Sequence, residues 1–255
     1  MAHDDKTLAA ERRRMKALLD PLVDMIETQD FRSGDPAGIV GEFTSAAAGM
    51  SQADVEIAAL LVSMISWGNR KAIRSTARRL VFEEMEARPE RYIRDGLFEG
   101  RGRGTFGRCV YRTLDFPHFQ AVCRNLRGAL AKAETLEGLV AGKTGVEALG
   151  TFCGLLAPAK VGVPGSSPCK RMCMFMRWMT RTGAPDFGLW RTRSRSDLFA
   201  VMDVHVNRQT QSMRRCKTPS WNGCLELTEI FKSWDPDDPL KYDVALMMLA
   251  DGVSH

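Results

Sequence analysis

Apolar positions recur along this chain every three to four residues, and few stretches alternate as strands require. Over residues 7–28 the spacing of Leu8, Leu18, Leu19, Leu22 and Ile26 predicts an amphipathic helix. The stretch "SQADVEIAALLVSMISWGNR", 51–70, is apolar on all sides, which predicts a central buried helix. Ser51, three residues before Asp54, predicts a capping box at its start, and Gly68 suits its stop. A helix over about 71–85 follows, with Ile73, Ala77, Leu80 and Val81 inward. Others are predicted over about 117–133, 136–141 and 145–156. A proline- and glycine-rich turn, "APAKVGVPGSSP", leads into "SSPCKRMCMFMRWMTR", 166–181, which reads as a buried helix. A long loop, "APDFGLWRTRSRSD", precedes a helix opening in "VMDVHVNRQTQSM", and "PLKYDVALMMLADG" supplies the last. There is no internal repeat. The fold class expected is all-α: residues 1–255 as one two-lobed domain, with residues 1–35 as an N-terminal helical extension.

Composition narrows the function classes. The 255 residues are 44% hydrophobic and 26% charged, ordinary for a globular protein. No run approaches 18 apolar residues, and the polar start "MAHDDKTLAAERRRMK" lacks the apolar core of a secretory signal, so the expectation is cytoplasmic. A net charge of +5 leans towards polyanions, and arginines cluster at 12–14, 78–79, 101–103, 191–195 and 214–215. Seven cysteines, an odd number, suit reduced thiols. Cys169 and Cys173 lie one helical turn apart and could share a metal, although two small core residues fit as well. Cys216 and Cys224 are too few for the four ligands of an iron–sulfur cluster, so none is expected. The loop "EGRGRGTFG", 99–107, lacks the lysine and hydroxyl of a phosphate-binding P-loop.

Lys170 stands out. At about 100° per residue, Cys169, Met172, Cys173, Met176 and Met179 form one apolar face, with Lys170, Arg177 and Arg181 opposite. Ser167 suits the N-cap and Pro168 the first helical position. A lysine near a helix N-terminus sits where the macrodipole opposes its charge. A nucleophilic lysine must shed its proton. Bringing an amine from about 10.4 towards 7 takes roughly 4–5 kcal/mol. The helix end supplies about 0.3–2 kcal/mol, leaving the rest to desolvation. The plainer reading is a surface lysine. Asp203, in "LFAVMDVHVNRQ", reads alone as an N-cap, and His205 has no metal-like partner nearby in sequence.

Together, a lysine at a helix start after a proline–glycine turn and a later "MDVHVNR" resemble the helix-hairpin-helix DNA glycosylase superfamily, whose signature ends in Asp–X–His–X–X–Arg. The spacing from Lys170 to Asp203 looks like the archaeal 8-oxoguanine DNA glycosylase branch. "SWGNRKAI", "DFGLW" and "DPLKYDVAL" are similar to a related, largely uncharacterised bacterial family. The resemblance covers roughly 40–250. It implies a helical fold with a DNA cleft between two lobes, Lys170 as the amine attacking the sugar, and Asp203 assisting. Schiff-base chemistry would add abasic-site lyase activity. It places Trp67, Asp243 and Met247 at the damaged base, Met247 standing where an aromatic is expected. Asn69, Arg70, Arg171, Arg177, His205 and Arg208 would meet DNA. No cofactor or site metal is implied, beyond an alkali ion at the hairpin, where "VGVPGSSP" departs from the usual Leu–Pro–Gly–Val–Gly. The expected partner is damaged duplex DNA, bound by a monomer. Two rivals stay open: a non-catalytic DNA- or RNA-binding module on the same fold, and a thiol or metal protein using Cys153, Cys169 and Cys173.

Overall fold

The computed structural model describes residues 2–30, 34–46, 49–100, 107–250 and 252. Among these the protein is all-α, relieved by one small hairpin. Most of the glycine-rich 99–107 loop lies outside the described residues. No described helix is long and apolar enough to cross a membrane. The chain forms two compact units, Asp30–Val161 and, separately, Met1–Gln29 with Gly162–His255.

The unit of residues 30–161 is built on α3, Gln52–Ile65, which follows α2, Ala37–Ala46. The Ser51 hydroxyl accepts from the Asp54 amide at 3.0 Å and Asp54 accepts from the Ser51 amide, the expected capping box. Every α3 side chain from Ala53 to Ile65 is buried, Glu56 included. That carboxylate accepts from the amides of Leu136 and Glu137 at the start of α8, Leu136–Leu139, so a buried charge is met by an open helix end. Asn69 caps α4, Arg70–Arg78, which widens into a π-helical turn over Arg79–Glu84. Ile73, Ala77, Leu80 and Val81 all point inward, as the spacing predicts. Two short helices, α5 (Pro89–Arg94) and α6 (Leu97–Gly100), lead to a hairpin the sequence pattern does not announce. Its strands, β1 (Cys109–Tyr111) and β2 (Leu114–Asp115), pair antiparallel with Tyr111 opposite Leu114. Helices α7 (Phe116–Leu130) and α9 (Gly145–Leu155) complete this unit.

The other unit joins both parts of the chain. Helix α1, Ala2–Met25, packs on α13, Lys241–Ala250, where Tyr242 donates to Asp20 at 3.1 Å. Leu19, Leu22 and Ile26 are buried, but Leu18 is 49% exposed, because the inward face of α1 is narrower than its leucine spacing suggests. Between them lie α10 (Lys170–Thr180), α11 (Val204–Thr210) and α12 (Trp221–Trp234).

Helix α10 corrects the angular reading. It is buried on all sides from Met172 to Thr180, and Arg177 is only 2% exposed. Its Nε donates to Asp186 at 3.1 Å and its Nη1 to Asp243 at 2.5 Å. Arg181, also buried, donates to the other Asp186 oxygen and to Asp238. The polar stripe is therefore an internal ion network. Burial pushes Asp243 above the usual carboxylate range, opposed by the Arg177 guanidinium and a hydrogen bond from the Val201 amide.

Removing one partner strands the rest of a buried network. Asp243→Ala is expected to lower stability by roughly 3–5 kcal/mol in urea unfolding. Glu229→Ala, which removes an exposed partner of Lys232 in the same unit, should change it by about 1 kcal/mol or less.

Candidate active site

The turn entering α10 sets where Lys170 falls. The amides of Ser166 and Ser167 both donate to the Val163 carbonyl, at 3.2 and 3.0 Å. At Gly162, φ is +77° and an added Cβ would lie 2.1 Å from the Ser167 hydroxyl oxygen, so a side chain would block closure. That hydroxyl accepts from the Cys169 amide at 3.2 Å, and Cys169 takes a left-handed φ of +50°. Helix α10 therefore starts at Lys170 with Cys169 as its N-cap, two residues later than Ser167 and Pro168 suggest. With the Ser166 and Ser167 amides turned inward, those two are committed within the turn rather than offered to an ion or phosphate.

Asp203 is the N-cap of α11, and its two oxygens divide the work. Oδ1 accepts from the amides of His205 and Val206 at 2.8 and 2.9 Å. Oδ2 lies 2.9 Å from Lys170 Nζ. Burial works to raise the Asp203 carboxyl, but the Lys170 charge and the two amides outweigh it and hold it below the ordinary value. The Lys170 side chain is 36% exposed and that of Asp203 23%. Within this unit the amine is thus reachable from solvent and governed by a carboxylate, not sealed in a dry pocket as the desolvation argument requires. The pair can hold a proton between amine and carboxylate beside an open surface. Val204, His205 and Arg208 are exposed on the same short helix, and Arg171 is half-buried.

Other expected site residues divide sharply. Arg177 cannot meet DNA phosphates from its buried ion pairs, a correction that follows from its two carboxylate partners. Asp243 gives one oxygen to Arg177 and the other to the Val201 amide, and at 2% exposure it is turned away from any base edge. The Met247 sulfur lies 3.9 Å from both terminal nitrogens of Arg177, so it borders that network. Trp67, Asn69 and Arg70 belong to the other unit. Asn69 caps α4 by accepting from the Ala72 amide at 3.1 Å, and Arg70 is exposed. Half-buried Trp67 stands edge-on to Tyr111, and its carbonyl accepts from the Tyr111 hydroxyl at 2.6 Å.

Arg112 is the residue that sequence reasoning passes over. Its guanidinium lies 4.3 Å from the centre of the Trp67 ring. It occupies the hairpin turn at φ +51°, a left-handed position that glycine or asparagine fills more easily. Such a backbone costs about 1–2 kcal/mol in an L-residue, while an exposed cation–π pair returns about 0.5–1 kcal/mol. "YRTL" carries no hairpin signal, so only the structure reveals the stack.

Cys169 and Cys173 are buried thiols, and a hydrogen bond with Cys224, then burial, pushes Cys173 up. Among the described residues, no group of three or more His, Cys, Asp or Glu side chains is placed to hold a metal ion.

A family model described as "Protein of unknown function (DUF2400)" matches residues 35–251. No curated protein and no solved structure matches the sequence.

The Asp203 shift has a definite pH consequence. A depressed carboxyl stabilises the fold above its unfolded value, near 3.9, and loses that contribution as pH falls through its lower folded value. The stability difference between wild type and Asp203→Asn should be flat above about pH 4 and shrink below it, read as urea midpoints across the acid range.

Proposed function

This chain belongs to the DUF2400 family, described as of unknown function, and we propose that it is a DNA base-excision glycosylase with abasic-site lyase activity. The observation that carries this reading is the 2.9 Å approach of Lys170 Nζ, in the first turn of α10, to Oδ2 of Asp203, the N-cap of α11. An amine and its base, within hydrogen-bond reach and reachable from solvent, form the minimum set for Schiff-base chemistry on a sugar.

The steps follow from those two groups. The damaged nucleotide leaves the stack, since its anomeric carbon is otherwise shielded. Asp203 takes a proton from the Lys170 ammonium. The Lys170 nitrogen attacks C1′, and the C1′–N bond breaks with its electron pair leaving on the base, which gains a proton. Ring opening gives a protonated imine between Lys170 and C1′. Loss of a C2′ proton then breaks the 3′ C–O bond by elimination. Position at a helix N-terminus aids deprotonation, because the macrodipole disfavours the ammonium. Asp203 plays a second part by opposing positive charge on the sugar. The substrate class is an oxidised purine such as 8-oxoguanine, on the strength of the family resemblance; Asp243, buried in its ion pair, takes no part in reading it.

Borohydride trapping tests the chemistry. Wild type should form a covalent adduct with DNA bearing an abasic site or oxidised purine. Lys170→Gln should abolish trapping, while Lys160→Gln traps as wild type does. Asp203→Asn should lose base excision by roughly 10²–10⁴-fold and still fold, since asparagine caps a helix as well as aspartate. Trapping that survives in Lys170→Gln places the amine elsewhere. Nucleic-acid binding with no trapping on any lesion leaves the non-catalytic binding module as the reading.

Binding itself should depend on salt, the logarithm of affinity falling by about 0.9 per phosphate neutralised per decade. Arg208→Ala should reduce that slope by about 1 and weaken all sequences alike, because exposed Arg208, unlike Arg177, can reach a phosphate. An unchanged slope removes Arg208 from the interface.

A further inference from the structure

We propose that the Arg112–Trp67 stack is a platform for an unpaired nucleobase, carried by the unit of residues 30–161. The inference rests on the DNA reading above and adds a second, non-catalytic contact to it.

Four observations converge on one spot. The Arg112 guanidinium carbon lies 4.3 Å from the centre of the Trp67 ring, and Arg112 is exposed to solvent. No carboxylate pairs with it among the described residues. An unneutralised guanidinium plane is a surface on which bases stack. Second, Gly68 makes the arrangement feasible. Its φ is +96°, and a Cβ there would lie 2.3 Å from Arg112 Nη1, so the guanidinium rests on bare backbone beside the indole. Third, the underlying ring is fixed. Tyr111 meets Trp67 edge-on at 5.9 Å and donates its hydroxyl to the Trp67 carbonyl. Fourth, the left-handed turn at Arg112 costs the fold at least as much as an exposed cation–π pair gives back. Fold stability therefore favours glycine at this position. An arginine there is accounted for by something it binds.

The chemistry names the ligand. A flat cation backed by an aromatic ring takes a flat π-system, and a base qualifies only when it is unpaired and unstacked. Lys71, exposed in the first turn of α4 four residues after Trp67, supplies a charge for the adjoining phosphate. A base in paired, stacked duplex offers no free face. The platform therefore discriminates for single-stranded, bulged or extruded nucleotides.

Arg112→Gly separates this role from a structural one. It removes the guanidinium and relieves the left-handed turn, so its thermal midpoint should equal or exceed that of wild type. Its affinity for a labelled single-stranded oligothymidylate of about twelve nucleotides should nonetheless fall by roughly 5- to 100-fold, the effect of losing one stacked base. Fully paired duplex should lose much less. Arg112→Lys, which keeps the charge and lacks the plane, should lose nearly as much single-strand affinity. A 2-aminopurine placed in the oligonucleotide should be quenched on binding wild type and less so on either variant.

The proposal is overturned if Arg112→Gly binds single strands as wild type does. It is overturned equally if Arg112→Lys restores binding, or if paired and unpaired DNA lose alike, since either marks a plain phosphate contact. Borohydride trapping separates the two readings. Successful trapping with unaltered binding by Arg112→Gly ends the platform alone. A platform that behaves as expected on a protein that never traps ends the lysine chemistry alone.

Discussion

One carboxylate, Asp243, holds the two halves of the candidate active site in register. Its Oδ2 receives Arg177, seven residues along α10 from Lys170, and its Oδ1 receives the Val201 amide, two residues before Asp203. Asp243 on the last helix thus links the segment that carries Lys170 to the one that carries Asp203. Taking these ions out of water costs several kcal/mol each, and only close pairing offsets it. Arginine suits the position because its fork can face two carboxylates at once. Asp186 fills the other side of Arg177 and also receives Arg181. The loop carrying Asp186 is tied back to α10 by the Phe187 and Trp190 amides, which donate to the carbonyls of Trp178 and Met179. Phe175 packs edge-on to Trp190 across the same loop. An aspartate that family resemblance assigns to the base is here the brace behind the Lys170–Asp203 pair.

Much of the helical framework was legible in the sequence because its determinants are local. The Ser51–Asp54 box, the all-round apolar α3 and the inward quartet of Ile73, Ala77, Leu80 and Val81 depend on residues within a turn or two of one another. Three kinds of feature were not. Helix α12 carries Cys224, Leu227, Ile230 and Phe231 inward, yet its polar start, "SWNGC", hides its boundary. The start of α10 was displaced because the Ser167 hydroxyl serves Cys169 instead of the helix. The hairpin at 109–115 turns on an arginine, where turn chemistry calls for glycine or asparagine.

The site was legible in part, for a related reason. The family resemblance pairs Lys170 with Asp203, and the structure sets them 2.9 Å apart, each at a helix start. Arg177 was misplaced because a helical wheel knows only its own helix. Its partners lie 9 and 66 residues away, and nothing near Arg177 announces them. Asp243 was assigned to the base by family resemblance, which does not show its buried pairing with Arg177. Trp67 was found as a candidate for stacking, but its cover, Arg112, comes from a separate element 45 positions on and could not be read from either segment alone.

The pairing of α1 with α13 has a consequence for synthesis on the ribosome. Helix α1 leaves the exit tunnel well before the surface it packs on, including Tyr242, is made. Residues 30–161 form a complete unit of their own and can fold while the remainder is still being translated. Through that interval α1 lacks the helix it packs on. The nascent chain therefore carries an amphipathic helix without its partner until α13 is made. Slowing elongation anywhere between α1 and α13 would prolong that separation.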